Sequence, residues 1–544
     1  MRKHISTFKG RIPRLSSKNL EEGHASIATN VDLRSGDIKP FKALLQGDSI
    51  TTNTKSMHKI DTETFTSTAD CNFVMHDVSG TPVLIVSDGT TYPKQYTDAL
   101  YPADHMRLGM VAPSDTLTIT FKTISAIDST EIGGTYSWVY TYVNAWGEES
   151  APSPATAAVD VNLNQYVTLT NFDTPSAANK NAVDGIRIYR LATGTLGAEY
   201  QFLEEIDDQA TTYNDYETNV GLNTVEDDVL ATEAYSQPPA TLAGIIRYAN
   251  GMLAGFSGAD LYLSEPFIVY AWPSAYVISF DSDIVAIAAH NDSIVVLTET
   301  KPYIVTGTSP ENMMVTPVNI DAKCVAKRGV LETPLGVIFP APDGLVLVGG
   351  ASWSAQTISK QIITKEQWTA LTPANLLSYW YDDIGIFFFS GTDTGFMIVD
   401  GTWVVLDLGA SGTINGGYID PTTEKLILIM NRTTFYPETF DAHATNYLAW
   451  TYKTKQYNFA FPTSWSCFKL YGVSTGNIAM TFYGDGVSRS AQNVSSQLMG
   501  RLPCLHRYYD WDVQFVSATG TVERTIEDIV FANSPQELML EDQG

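Results

Sequence analysis

Three pairs of acidic residues, Asp281 with Asp283, Asp382 with Asp383, and Asp510 with Asp512, have the spacing at which two carboxyls can share one task. Glycoside hydrolysis needs such a pair about 5 to 10 Å apart across a cleft, a separation that spacing along the chain does not fix. Several of these acids fall at predicted turns, where Asp bonds its own backbone, and turn chemistry is the reading adopted. A second candidate is SEPFIVYAWP (264–273), in which Glu265 sits among Phe267, Tyr270 and Trp272 and between two prolines. Exposed Tyr and Trp stack on sugars, so this stretch has the makings of a carbohydrate platform. It also follows a strand, LYLS, and its prolines force an extended exit, so we read it as framework packed over strand ends. GVSTG (472–476) matches the nucleophile-elbow pattern, but the NIAMTF that follows reads as a strand where the elbow requires a helix. A β-turn is expected there.

Other chemistry has no signature. There is no GxxxxGK[ST], no HExxH, no EF-hand loop and no SxDxGxxW box, and the eight histidines are scattered. The expectation is therefore a protein that is not an enzyme, with no catalytic, cofactor or metal residues. The 33 basic and 60 acidic residues give a net charge of −27, which should repel a nucleic-acid backbone. Cys71, Cys324, Cys467 and Cys504 form no CxxC pair, which suits a reducing compartment. No signal peptide or membrane-crossing run is read; IGIFFFSG (384–391) is the densest apolar patch and only strand-length.

What positions any site must be β structure. Composition is ordinary for a folded chain, 44% hydrophobic and 17% charged, with 28 Tyr, 23 Phe and 39 Gly favouring strands and tight turns. Residues 1–50 read as an irregular, basic N-terminal arm in which NLEEGHASIATNVDL could form one short helix. FVMHDVSGTPVLIVSDGTTY reads as a hairpin turning at Ser79-Gly80, within a first sheet region at 51–112. Residues 113–222 carry short alternating strands joined by polar, Pro-bearing turns, the pattern of an immunoglobulin- or fibronectin-like sandwich. TVEDDVLATEAYSQPPA (224–240) reads as an exposed linker.

From 223 to 462 the chain repeats. IRYANGMLAGFSGADLYLS aligns with IAAHNDSIVVLTETKPYIV, and further hairpins turn at Asp343-Gly344, Asp382-Asp383 and Asp420-Pro421. The turns are spaced 41, 52, 39 and 38 residues apart, near the 40 to 45 of propeller blades. We expect a mainly β fold: a β-propeller of six or seven blades, the sandwich inserted into it, and a small C-terminal β domain at 463–544. A run of stacked β-sandwiches is the rival architecture. Two helical islands are expected, one capped by Thr364 before KEQWTAL and one by Thr372-Pro373 before ANLLSYW.

Taken in order, FKGRIPRLSSKNL, ATNVDLRSGDIKPFK, YTYVNAWGEESAPSP, GIRIYRLATG, MLAGFSGADLYLSEPFIVYAWP, KPYIVTGTSP, CVAKRG and FPAPDGLVLV resemble virion proteins of tailed bacteriophages. The named group they resemble is the tail nozzle, or tubular-B-type, protein of short-tailed phages. The resemblance runs in pieces from Phe8 to Gly344 and more faintly to Leu540. It implies a homo-oligomeric, hexameric ring beneath the portal and head–tail adaptor, assembled in the host cytoplasm and resident in the virion. Fibres or a needle would attach outside, and genome DNA would pass through the bore without specific binding and without stable membrane insertion. Carried onto this chain, Arg2, Lys3, Lys9, Arg11, Pro13, Arg14 and Lys18 would be assembly contacts. Acidic side chains of 204–208 or 226–228 would line the bore, where negative charge lets a polyanion slide. A receptor-binding or glycan-degrading tail protein, and a generic propeller scaffold, are the competing expectations.

Overall fold

A computed structural model describes residues 2–123, 133–162, 165–194, 197–217, 229–350, 353–409, 412–472, 478–495, 499–502 and 507–539. The fold is mainly β. Seven antiparallel meanders, five of them four-stranded, begin with the strands β1 (Ser56–Lys59), β2 (Asn72–Val78), β3 (Ala243–Arg247), β4 (Ile284–His290), β5 (Leu331–Thr333), β6 (Leu376–Tyr381) and β7 (Thr413–Ile419). Within each meander, spatial order follows chain order, as short turns between alternating strands dictate. The sheet begun by β7 takes its fourth strand, Leu45–Gln46, from the N-terminal region, and β1 pairs only with Thr64–Ser67.

Successive sheets pack face to face, most across a core of their own; the sheets of β6 and β7 instead meet in the large cluster that holds Leu377, Ile386, Ile414 and Leu428. Val74, Ile85, Leu242 and Ile245 lie between the sheets of β2 and β3, and Phe256, Leu261, Ile294 and Val296 between those of β3 and β4. Val295, Val337, Phe339 and Val346 follow, then Trp368, Phe387, Phe396 and Trp403, where Phe396 stacks on Trp403 with ring centroids 3.7 Å apart. Met57, Tyr418 and Ile429 join the sheet of β7 to that of β1. Ile60, Phe65, Leu84 and Tyr96 pack β1's sheet against that of β2. Burying a side chain of this size is worth about 1.5–3 kcal/mol each, so the interfaces together dominate stability.

The turns explain the uneven repeat. First-to-second-strand turns carry left-handed residues at Ser79, Asn250, Asn291, Asp382 and Asp383, the types that tolerate positive φ. Asp343-Gly344, however, joins the second and third strands of its sheet; the equivalent first turn is Pro334-Leu335, which lies nine residues earlier. The 52-residue step was a misaligned register within one sheet.

Between the first two four-stranded sheets, two three-stranded sheets pack around Trp138, Tyr140, Val167, Leu169, Ile186 and Ile188. At their centre the buried Arg190 guanidinium pairs with Asp215 at 2.8 Å and lies over the Tyr136 ring, while the Trp138 indole N–H donates to the same carboxylate. The Asn144–Ser150 turn docks this unit: the Glu148 carboxylate accepts from Asn144 and from Gln95 of the neighbouring sheet.

Three sequence expectations are corrected. NLEEGHASIATNVDL forms no helix; His24–Thr29 is a strand lying between Lys9–Arg11 and Trp450–Thr454. Residues 1–50 are not an irregular arm, because Arg2–Ile5 pairs with Asp528–Ala532 and Lys9–Arg11 borders the sheet of β6. ANLLSYW is a single 3-10 turn followed by β6, since Leu-Leu-Ser-Tyr-Trp-Tyr has the residue types of a strand. The other island is a helix, Lys365–Ala370, closed by a reciprocal Thr364/Gln367 capping box. The boundary expected at 463 falls inside a continuous sheet and core, for Trp450, Phe482, Trp511 and Phe515 share one cluster with Phe8, Leu377 and Leu428.

Three outcomes follow. Phe8, 1% exposed and edge-on to Tyr452, is structural, so Phe8→Ala should lose about 3–5 kcal/mol in urea unfolding. Lys18→Ala, at an exposed pair with Asp510, should change stability by less than ~1 kcal/mol. Burial pushes the Glu148 carboxyl up to about 7 from 4.5. The folded state therefore holds its proton more tightly. Stability should be fully present below pH 4.5 and decline by about 3 kcal/mol as pH rises through 7. Urea midpoints across that range should show Glu148→Gln flattening the decline.

Candidate functional site

Each first strand is hydrogen-bonded on one side only, leaving a row of N–H and C=O groups facing its neighbours' first strands. Side chains from adjoining sheets meet those groups. Arg247 Nη2 donates to Met75 O at 2.6 Å, and Glu332 Oε1 accepts from the Ala289 N–H at 2.8 Å. Ser378 Oγ donates to Val330 O at 2.8 Å, and Asn415 Nδ2 donates to Thr54 O. Arg328 spans the widest gap, donating to Asn415 O and Lys55 O and pairing with Asp70 at 3.1 Å. Arg247, Glu332, Ser378 and Asn415 are polar residues within the first strands, which is the signal that sequence reasoning passed over.

The strands β2, β3, β4 and β5 border an open cavity of about 480 Å³ whose lining includes Asn72, Gly244, Arg247, Ala288, Lys327 and Glu332. Lys327 opens the turn before β5; its burial lowers the ammonium's pKa, while Asp70 and Cys71 act to raise it. Burial raises the Glu332 carboxyl, with the Ala289 N–H bond acting the other way. Gly244 must be glycine: its φ is +67°, and a Cβ would lie 2.2 Å from the Phe256 ring.

At least one acid of each pair is engaged by the fold. Asp281 accepts from the Tyr303 hydroxyl, and Asp382 pairs with Arg34 from a left-handed turn shared with Asp383. Asp510 accepts from Lys18, Gln456 and Asn458, while burial raises the Asp512 carboxyl beside Lys453 at 3.3 Å. Asp283 contributes its backbone carbonyl to the Glu299 N–H. No acid pair faces a cleft in common with the cavity. Among the described residues no group of three or more His, Cys, Asp or Glu could hold a metal ion.

SEPFIVYAWP packs as a connector. Trp272 is 2% exposed, its indole N–H on Val269 O and its backbone N–H on Ser236 O, and Tyr270 meets Tyr235 edge-on. Phe267 alone points outward, 76% exposed at φ +64°. In GVSTG only Gly472 is described; residues 473–476 lie outside the described residues, as do Cys504 and 226–228.

The expected assembly contacts are drawn into the chain's own fold. Lys3 pairs with Glu22, Lys18 with Asp510, and Arg14 donates to Lys360 O. Burial lowers the Arg11 guanidinium's pKa, and the Pro13 carbonyl accepts from Gln367. Arg2 and Lys9 lie in the strands Arg2–Ile5 and Lys9–Arg11.

No family model matches the chain, and no curated protein matches it. Solved structures align weakly. The extracellular domain of a putative hybrid two-component system from B. thetaiotaomicron is 9% identical, covering 69% of this chain and 47% of that one, with a TM-score of 0.27. PorZ, a surface component of the type-IX secretion system of Porphyromonas gingivalis, is 12% identical over 69% and 46%, at 0.24. An exo-β-1,3-galactanase from Phanerochaete chrysosporium is 10% identical over 89% and 100%, at 0.19. The chain spans about half the length of the first two. Scores this low carry no functional argument.

Arg328→Met removes bonds to two strand-edge carbonyls and one carboxylate, so it should cost about 2–4 kcal/mol in denaturant unfolding. Lys365→Met, at a surface pair with Asp343, should cost nothing measurable.

Proposed function

We propose that this chain is a non-catalytic structural subunit acting by assembly, a seven-bladed β-propeller with an inserted fibronectin-like sandwich, working as a tail nozzle of a tailed bacteriophage. One observation carries the reading: side chains tie the inner edges of neighbouring sheets to one another, and the strands Arg2–Ile5 and Asp528–Ala532 pair in one sheet and share one core. Such a body resists deformation, which a conduit under pressure requires. In each acid pair at least one carboxylate is engaged by the fold, which speaks for the same reading over glycan hydrolysis.

The interior of one subunit is a small cavity, not a passage, so a bore for DNA belongs between subunits. Ring formation then needs a heterologous contact between two different surfaces of each copy. Glu204, exposed on the sandwich, is available to such a bore, whereas Glu205 is engaged by Arg187. The resemblance to nozzle proteins supplies the hexamer, the portal-side adaptor and the fibres or needle as partners.

Electron microscopy of virus particles carrying a label on this chain tests the proposal. A label on the tail axis, with the purified chain binding adaptor proteins, is the expected result. A label on peripheral appendages, a chain that stays monomeric without affinity for portal or adaptor, or glycan release abolished by Asp281→Asn or Asp512→Asn would overturn it.

A further inference from the structure

We propose that the interior cavity binds a protonated phosphate group, with the Lys327 ammonium meeting its charge and the acceptors Asn72 Oδ1 and Glu332 meeting its hydroxyl. The cavity lies inside one subunit, so the proposal stands apart from tail assembly.

Charge is the first argument. In a chain of net charge −27, this lining carries Lys327 and Arg247 against Glu332 alone. Arg247 uses one nitrogen on Met75 O, and Arg328, next in sequence to Lys327, is held by Asp70, Lys55 O and Asn415 O. The Lys327 ammonium has no hydrogen bond or ion pair among the described residues, although its side chain is largely enclosed. Asp70, Cys71 and Asp88 act on the Lys327 ammonium electrostatically without bonding it, so a half-buried cation lacks a direct partner that an anion in the cavity would supply.

The acceptors choose the anion. Asn72 Oδ1 is buried with no donor, and Glu332 engages the Ala289 N–H through Oε1 only, with no donor to Oε2 among the described residues. An anion without a proton, such as sulfate, would leave the buried Asn72 oxygen facing another acceptor, an arrangement that loses the bond and retains the desolvation penalty. Monohydrogen phosphate and a singly protonated phosphomonoester each offer both an anionic oxygen and a P–O–H donor. At about 480 Å³ the space exceeds one phosphate, so free phosphate and a small monoester share the required chemistry.

Titration calorimetry on the full chain, with inorganic phosphate, sulfate and glycerol 3-phosphate, tests this. Saturable phosphate binding at least about tenfold tighter than sulfate is expected, because a site built for a hydroxyl rejects the analogue that lacks it. Lys327→Met should weaken phosphate by about tenfold or more, Asn72→Ala should narrow the phosphate-to-sulfate ratio, and Lys360→Met should change neither. Tighter glycerol 3-phosphate assigns the site to monoesters; equal or weaker binding assigns it to free phosphate. Absence of saturable phosphate binding, equal binding of sulfate, or unchanged affinity in folded Lys327→Met would overturn the proposal. Where Lys327→Met does not fold, the wild-type preference and Asn72→Ala decide it.

Discussion

A β-sheet has edges, and an edge strand carries unpaired backbone groups that must find partners wherever water is excluded. In this protein the inner edges of β2, β3, β4 and β5 border one cavity, and the partners are side chains from adjoining sheets and turns. Arg247, Arg328, Glu332, Ser378 and Asn415 each reach from one sheet to a backbone group of another. Apolar faces alone would let sheets slide over one another, since burial has no direction. Directional bonds at the inner edge fix the offset of each sheet against the next, and the cavity is the space those bonds leave. Its polar character follows from the same cause.

The outer side is held by topology. Lys9–Arg11 and His24–Thr29 extend the sheet of β6 towards Trp450–Thr454 and Tyr508–Ser517, so residues far apart in sequence share one ladder. Asn30, buried, bonds Asp407 and Ala449 and ties three segments at one point. With Leu45–Gln46 completing the sheet of β7, the succession of sheets is fastened by chain from its beginning. The inserted sandwich is anchored through Glu148 and Gln95, a neutral-prone carboxyl at a buried junction, which makes that contact sensitive to pH.

Much of this was legible in sequence because it is local. Alternation marked the meanders, Asn-Gly and Asp-Asp marked turns with positive φ, and Thr364 marked a helix start. The framework role of SEPFIVYAWP was legible from its prolines. What failed was non-local. HASIAT alternates only weakly, and its strand identity comes from partners more than 400 residues away. Pro334-Leu335 was passed over as a turn in favour of Asp343-Gly344, because both join strands and only pairing tells first from second. The basic residues of the first eighteen looked free because their acceptors, at Lys360 and Asp510, lie far along the chain. Lys327 and Glu332 gave no motif at all; their meaning depends on four strands meeting.

The central claim is that the last sheet meets the first, so that the inner edges surround a single interior. Lys59, on β1, and Thr422, in the turn after β7, lie 3.4 Å apart at their side chains across that junction. Electron–electron double resonance between nitroxides at these two positions measures the junction directly. A single narrow distribution at the short limit of the method is the result the account predicts. A broad distribution extending to long distances would mean that the sheets form an open series, and would contradict it.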